Sequence, residues 1–111
     1  MKEIKAYVHR DRVADVIASL KASPAWTLSG KGGQHNLSAY MVKGSIVPLN
    51  GERHYSIDLG DEVVNEYKLE LLCEDSEVDA LVQVIRLAAR TGQPNAGWVT
   101  VSELVNALPI I

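Results

Sequence analysis

The chain has 111 residues, 47% of them apolar, which suits one compact core, and no second domain is expected. Its formal charge of −3 is mixed along the chain, so there is no basic footprint for nucleic acid or an anionic membrane. A single cysteine excludes an intrachain disulfide, no apolar run approaches the ~18 residues of a membrane span, no secretory pattern opens the sequence, and a cytoplasmic location is expected.

Ile4, Ala6 and Val8 alternate with Lys5, Tyr7 and His9, predicting a strand that starts at the first residues. Asp11 offers a helix cap, and Val13, Val16, Ile17 and Leu20 form an apolar stripe that predicts a helix to about Ala22, stopped by Ser23-Pro24. The segment from Ala25 to Gln34 contains Ser29-Gly30-Lys31-Gly32-Gly33 and reads as a loop. It is not a P-loop, which needs Gly-Lys-Ser/Thr opening a helix, whereas Gln34-His35-Asn36 leads into a strand-like run. That second strand spans Leu37 to Val42, with Leu37, Ala39 and Met41 opposing Ser38, Tyr40 and Val42, and Lys43-Gly44 closes it.

From Ser45 to Asn65 the apolar residues come in short pieces, interrupted by Pro48, Asn50-Gly51 and Gly60-Asp61, which suits either an extended hairpin or a long projecting loop. Loops beyond ~12–15 residues are usually functional or disordered. This one carries Glu52, Arg53, His54 and Tyr55, and a partner-reading role is expected there.

Tyr67 to Cys73 alternates, with Leu69, Leu71 and Cys73 on one face, predicting a third strand in which Cys73 is an inert core thiol. Ser76 with Asp79 forms a candidate capping box for a helix carrying Val78, Leu81, Val82, Ile85, Ala88 and Ala89, with Gly92 and Pro94 to stop it. Trp98-Val99-Thr100-Val101 is the returning strand, and a short tail helix is expected from Ser102 to Leu108, ended by Pro109. Two strand–helix–strand halves of matching size predict an α+β, ferredoxin-like βαββαβ sandwich: a four-stranded antiparallel sheet with both helices on one face. The other face, holding Tyr7 and His9 or their alternates, is left uncovered, so a homo-oligomer is expected.

Within this order, Val42-Lys43-Gly44, Ala88-Ala89-Arg90-Thr91-Gly92, and Gly97 followed by Val99, Val101 and Ser102 resemble the landmarks of the PII signal-transduction superfamily. The separation of Gly44 from Lys68 is also similar to that spanned by the family's T-loop, and only residues 23–36 run longer than the family's connection. The resemblance implies a homotrimer holding a small effector, usually an adenine nucleotide, in clefts between subunits. The T-loop then changes conformation and is read by a transporter, enzyme or regulator. Gly44 would stand at the T-loop base, and Thr91, Gly92 and Gly97 in the family's B-loop. Thr91 would donate a hydroxyl hydrogen bond, and the glycines would let backbone N–H groups approach an anion.

The chain departs from the nitrogen-regulation members of that family. Where they place Gly-Asp-Gly-Lys it has Asn95-Ala96-Gly97-Trp98, and no Lys or Arg follows Arg90. Each lost charge-assisted phosphate bond costs roughly 1.5–3 kcal/mol. Their effector glutamine is also absent, its place falling near Pro48, and Glu52-Arg53-His54-Tyr55-Ser56 is unlike their modified-tyrosine context. ADP, AMP or bicarbonate are therefore expected in preference to ATP with 2-oxoglutarate.

Plainer roles exist for the same residues. Trp98 suits packing at a subunit interface as well as stacking on a ligand base, Arg90 suits a helix C-terminus as well as an anion, and Lys43 and Arg53 are either cleft cations or solvated loop charges. Metal binding through His9, His35 and His54 is the alternative from a different class, although no two of them share a ligand spacing. A structural interaction module with no effector is another. Catalysis is not expected: spacing identifies no nucleophile–base pair, and His9-Arg10-Asp11-Arg12 lacks the glycines of an acylphosphatase phosphate loop.

Overall fold

A computed structural model of the chain describes residues 1–27, 35–46 and 53–111. The expectations for residues 29–33, Pro48 and Glu52 lie outside the described residues.

The protein is α+β with an antiparallel sheet. Its elements are β1 (Lys2–His9), α1 (Val13–Ala22), α2 (Pro24–Thr27), β2 (Ser38–Gly44), β3 (His54–Ser56), β4 (Asp61–Cys73), α3 (Val78–Ala88) and β5 (Trp98–Glu103). Among the described residues the sheet has five strands, in the order β2-β4-β1-β5 with β3 pairing to β4. The four strands expected from the sequence are thus joined by a short one inside the 45–65 excursion. The described part of that stretch forms a short hairpin: His54 pairs with Val63 and Ser56 with Asp61, and β4 starts at Asp61 rather than Tyr67.

Alternation fixes the faces. Ile4, Ala6 and Val8 pair across to Leu71, Leu69 and Tyr67, and the first five of these join Cys73, Val16, Leu20, Leu81 and Ile85 in one buried cluster. Both α1 and α3 therefore pack on the same face of the sheet. A one-residue slip of β1 would exchange Ile4, Ala6 and Val8 for Lys5, Tyr7 and His9. Each fully buried Ile, Leu or Val side chain is worth about 1.5–3 kcal/mol, so the register has one dominant solution.

Local signals were displaced where tertiary partners outcompeted them. Glu74, not Ser76, makes the reciprocal capping box, with Glu77, and it opens a 3₁₀ turn over Asp75–Glu77 ahead of α3. Arg12 rather than Asp11 stands at the start of α1, because the Asp11 N–H donates to His9 Nδ1 at 3.2 Å and the Arg12 N–H to the His9 carbonyl at 2.8 Å. Pro24 does not simply end α1. It opens the helical turn α2, where proline's missing N–H is no loss.

The tail helix expected over 102–108 is absent. Ser102 and Glu103 extend β5 by pairing with Glu3 and Lys2, and the Leu104 N–H donates to the Met1 carbonyl at 3.2 Å. Beyond them Val105, Leu108, Ile110 and Ile111 are exposed, and so short a segment without an apolar surface to pack on does not sustain a helix.

The face opposite the helices carries Tyr7, Lys68, Tyr40 and Trp98, neighbours by strand register. The Lys68 ammonium lies over both tyrosine rings, 5.2 Å from the Tyr7 centroid and 5.6 Å from that of Tyr40, while the Tyr40 hydroxyl donates to Glu70 at 2.8 Å. Tyr7 is on this face as expected. His9 is not solvent-facing as its alternation suggested: at the strand end, folded under the turn at 10–12, it is fully buried.

Candidate functional site

Where α3 ends, the chain crosses back to β5 through residues 89–97. This crossing builds a cleft of about 850 Å³ against the end of β1. Arg86, Arg90, Thr91, Gly92, Gly97 and Trp98 all line it. Five of these six were singled out in the sequence. Arg86 was not; it lies in the last turn of α3, and Arg90 follows just beyond the helix cap.

The crossing is shaped by a few backbone requirements. Gly92 and Asn95 adopt left-handed φ of +82° and +59° within the crossing, and α3 itself stops earlier, with Ala89 as its C-terminal cap. Gly97 lies so close to β1 that a Cβ there would stand 2.8 Å from the Tyr7 carbonyl oxygen. The Gln93 N–H donates to the Thr91 hydroxyl at 3.3 Å, which tightens the turn and leaves the hydroxyl proton available as a donor.

Among the described residues, Arg86 and Arg90 are the only charged side chains lining this cleft, and neither forms an ion pair there. Two exposed guanidiniums, a hydroxyl and the N–H groups of a glycine-bearing turn make a surface suited to a multivalent anion.

Trp98 is 59% exposed and also lines a second, smaller cleft of about 280 Å³ on the open face of the sheet. Tyr7, Asn95 and Trp98 line both. Among the described residues, the only charged one lining the second is Glu66, paired in register with His9 on β1 and Val42 on β2. Glu66 is buried, and burial pushes its carboxyl above the ordinary carboxylate value, opposed by the N–H of Ile46, which donates to it, and by the nearby His9. Its Oε2 has no hydrogen-bond partner.

Within the chain Gly44 lines neither cleft. It presses on the Glu66 carboxyl group, which fills the space a Cβ would take. No sequence signal marked Glu66, because its burial follows from strand pairing on both sides.

Arg53, His54 and Tyr55 are exposed on the β3 side of the hairpin, whose turn is closed by the Gly60 N–H donating to the Ser56 carbonyl at 2.8 Å. Tyr55, Ile57 and Leu59 leave a projecting apolar tip.

The three histidines lie in separate settings. His9 ends β1, His54 begins β3, and His35 is held by Trp26, Leu72 and Glu77. Within the chain, no group of three or more His, Cys, Asp or Glu among the described residues is arranged to hold a metal ion. No described helix is long and apolar enough to cross a membrane. No protein-family model matches the chain, and no curated protein does.

Proposed function

We propose that the chain is a PII-like signal-transduction protein of the ferredoxin-like class, a cytoplasmic homotrimer that senses a small anionic effector and acts on a transporter or enzyme through residues 45–65. The strand order β2-β4-β1-β5 with α1 and α3 on one face supports the class, and the open sheet face supports self-association. The observation that carries the effector reading is the cleft in which Arg86, Arg90, Thr91, Gly92, Gly97 and Trp98 meet. Its two guanidiniums suit a phosphate and Trp98 offers a flat surface for a base. AMP or ADP therefore fits better than bicarbonate, which would use the cations alone, and the shortage of further cations disfavours ATP. The exposed Arg53, His54, Tyr55 edge and the apolar hairpin tip are the surface a protein partner would read.

Isothermal titration calorimetry with AMP, ADP, ATP and bicarbonate, alongside light scattering for subunit count, tests this. The expected result is micromolar binding of AMP or ADP by a trimer, weakened roughly 10- to 100-fold by Arg86→Gln or Arg90→Gln. Silence from all four ligands, or unchanged affinity in both variants, would overturn it.

A further inference from the structure

We infer that His35 and Glu77 form a proton-operated latch: uptake of one proton from solvent on His35 Nε2 ties the turn after β4 to α2, and its loss loosens that tie. The inference is independent of the effector reading, since the latch lies at the start of α3 and Arg90 beyond its end.

The imidazole is held so that one atom is left over. Its Nδ1 lies 2.8 Å from the Leu72 carbonyl oxygen, which can only accept, so Nδ1 carries the proton and Nε2 of the neutral ring is a bare lone pair. The ring stacks on Trp26 with centroids 4.2 Å apart, and the His35 carbonyl accepts the Leu72 N–H at 2.7 Å. A ring flip would break the Nδ1 bond. Facing Nε2 at 3.6 Å is Glu77 Oε2, and Glu77 is fixed too, because its Oε1 accepts the Glu74 N–H at 2.8 Å as half of the capping box.

Both facing atoms are buried, and neither has a hydrogen-bond partner among the described residues. With the ring neutral, two acceptors therefore oppose each other out of water, just beyond hydrogen-bond reach, which is costly for each. One proton on Nε2 removes both deficits. Nε2–H then donates to Oε2 in a charge-assisted pair, and the imidazolium is further attracted by the face of the Trp26 ring. The Glu77 side chain is 12% exposed, which gives the proton a short way in from solvent.

The other ionisable groups around the pair do not take its place. Asp75 is held by the Met1 ammonium at 3.0 Å, with Lys2 at 4.0 Å, and the Glu74 side chain accepts from the backbone in the capping box. Cys73, next along β4, has its thiol pushed up to about 11 and keeps its proton below pH about 9. The α2 residues carry no ionisable side chain, and Lys21 on α1 and Asp79 on α3 are exposed.

Heteronuclear NMR reads each imidazole nitrogen separately, and it is followed together with the Trp26 indole N–H from pH about 8.5 down to about 4.5, a span that covers ordinary histidine titration. Nδ1 of His35 should stay protonated throughout, Nε2 should gain its proton within the span, and the Trp26 resonance should move with the same midpoint. Glu77→Gln, whose amide can donate to a bare Nε2, should lower that midpoint by about one pH unit. Hydrogen exchange of the Leu72 N–H, corrected for its intrinsic pH dependence, should be at least about threefold faster at pH about 8 than at about 5.5. An Nε2 unchanged across the span, equal corrected exchange at the two pH values, or an unmoved midpoint in a folded Glu77→Gln variant overturns the inference. If that variant does not fold, the wild-type Glu74 amide decides, because its N–H sits on the other oxygen of Glu77. A Glu74 shift that shares the His35 midpoint supports the latch, and one that is absent or follows another group overturns it.

Discussion

Gly44 and Glu66 occupy complementary space: the Glu66 carboxyl group fills the position where any other residue at 44 would place its Cβ. The contact sits where β2 leaves the sheet, one residue before Ser45 and two before Ile46, whose N–H holds the same carboxylate. The exit of the 45–65 excursion is therefore pinned by one buried side chain.

Gly44→Ala should force Glu66 out of that position and off the Ile46 N–H, costing about 1–3 kcal/mol as an overpacking change. Urea unfolding of Gly44→Ala, Glu66→Ala and the double variant checks this. The double variant should cost clearly less than the sum of the two, and strict additivity would show that the two groups do not compete for space.

Glu66 also makes stability depend on pH with a definite sign. Its carboxyl is raised in the folded protein, chiefly by burial, so between the unfolded and folded values the native state binds more protons. That contribution is greatest at and below the ordinary carboxylate value and is lost as pH rises through the folded one. Urea midpoints from pH about 4 to 8 should fall less steeply for Glu66→Gln than for the wild type, and parallel curves would contradict the assignment.

Trp26 and His35 stack with ring centroids 4.2 Å apart, and His35 Nδ1 lies 2.8 Å from the Leu72 carbonyl, to which it donates. This joins α2 to the end of β4. A double-mutant cycle with Trp26→Ala and His35→Ala should return a coupling of about 0.5–1.5 kcal/mol. No coupling would mean the rings are neighbours without mutual stabilisation.

Cys73 is buried, and its thiol is pushed from 9.0 up to about 11, mainly by burial and next by the charge of Glu77. A two-unit rise leaves about 100-fold less thiolate near pH 8. A disulfide reagent such as DTNB should label Cys73 slowly in buffer and rapidly in urea, whereas fast labelling of the folded protein would show the site to be open.

The elements with a strong period were legible in the sequence. The alternation of Ile4, Ala6, Val8 and of Leu69, Leu71, Cys73, and the stripes Val16–Leu20 and Leu81–Ile85, each name a buried face without help from the rest of the chain. Among the residues lining the anion-facing cleft, Arg90, Thr91, Gly92, Gly97 and Trp98 were legible for a related reason: a helix end, a glycine-bearing crossing and a strand start are local signals. Arg86 carries no such signal, because it reads as an ordinary basic residue in the last turn of a helix.

What the chain could not announce by itself was decided by pairing. Glu66 reads as an ordinary surface acid until β1 and β2 close on both sides of it. His9 reads as the exposed half of an alternation until the turn after β1 covers it. The residues after Glu103 carry a helical pattern, but β5 takes Ser102 and Glu103 and leaves the remainder without a surface to pack on. Periodicity is a property of a segment and is written into its own residues. Burial of a single polar group depends on which strands flank it, and only the assembled sheet sets that.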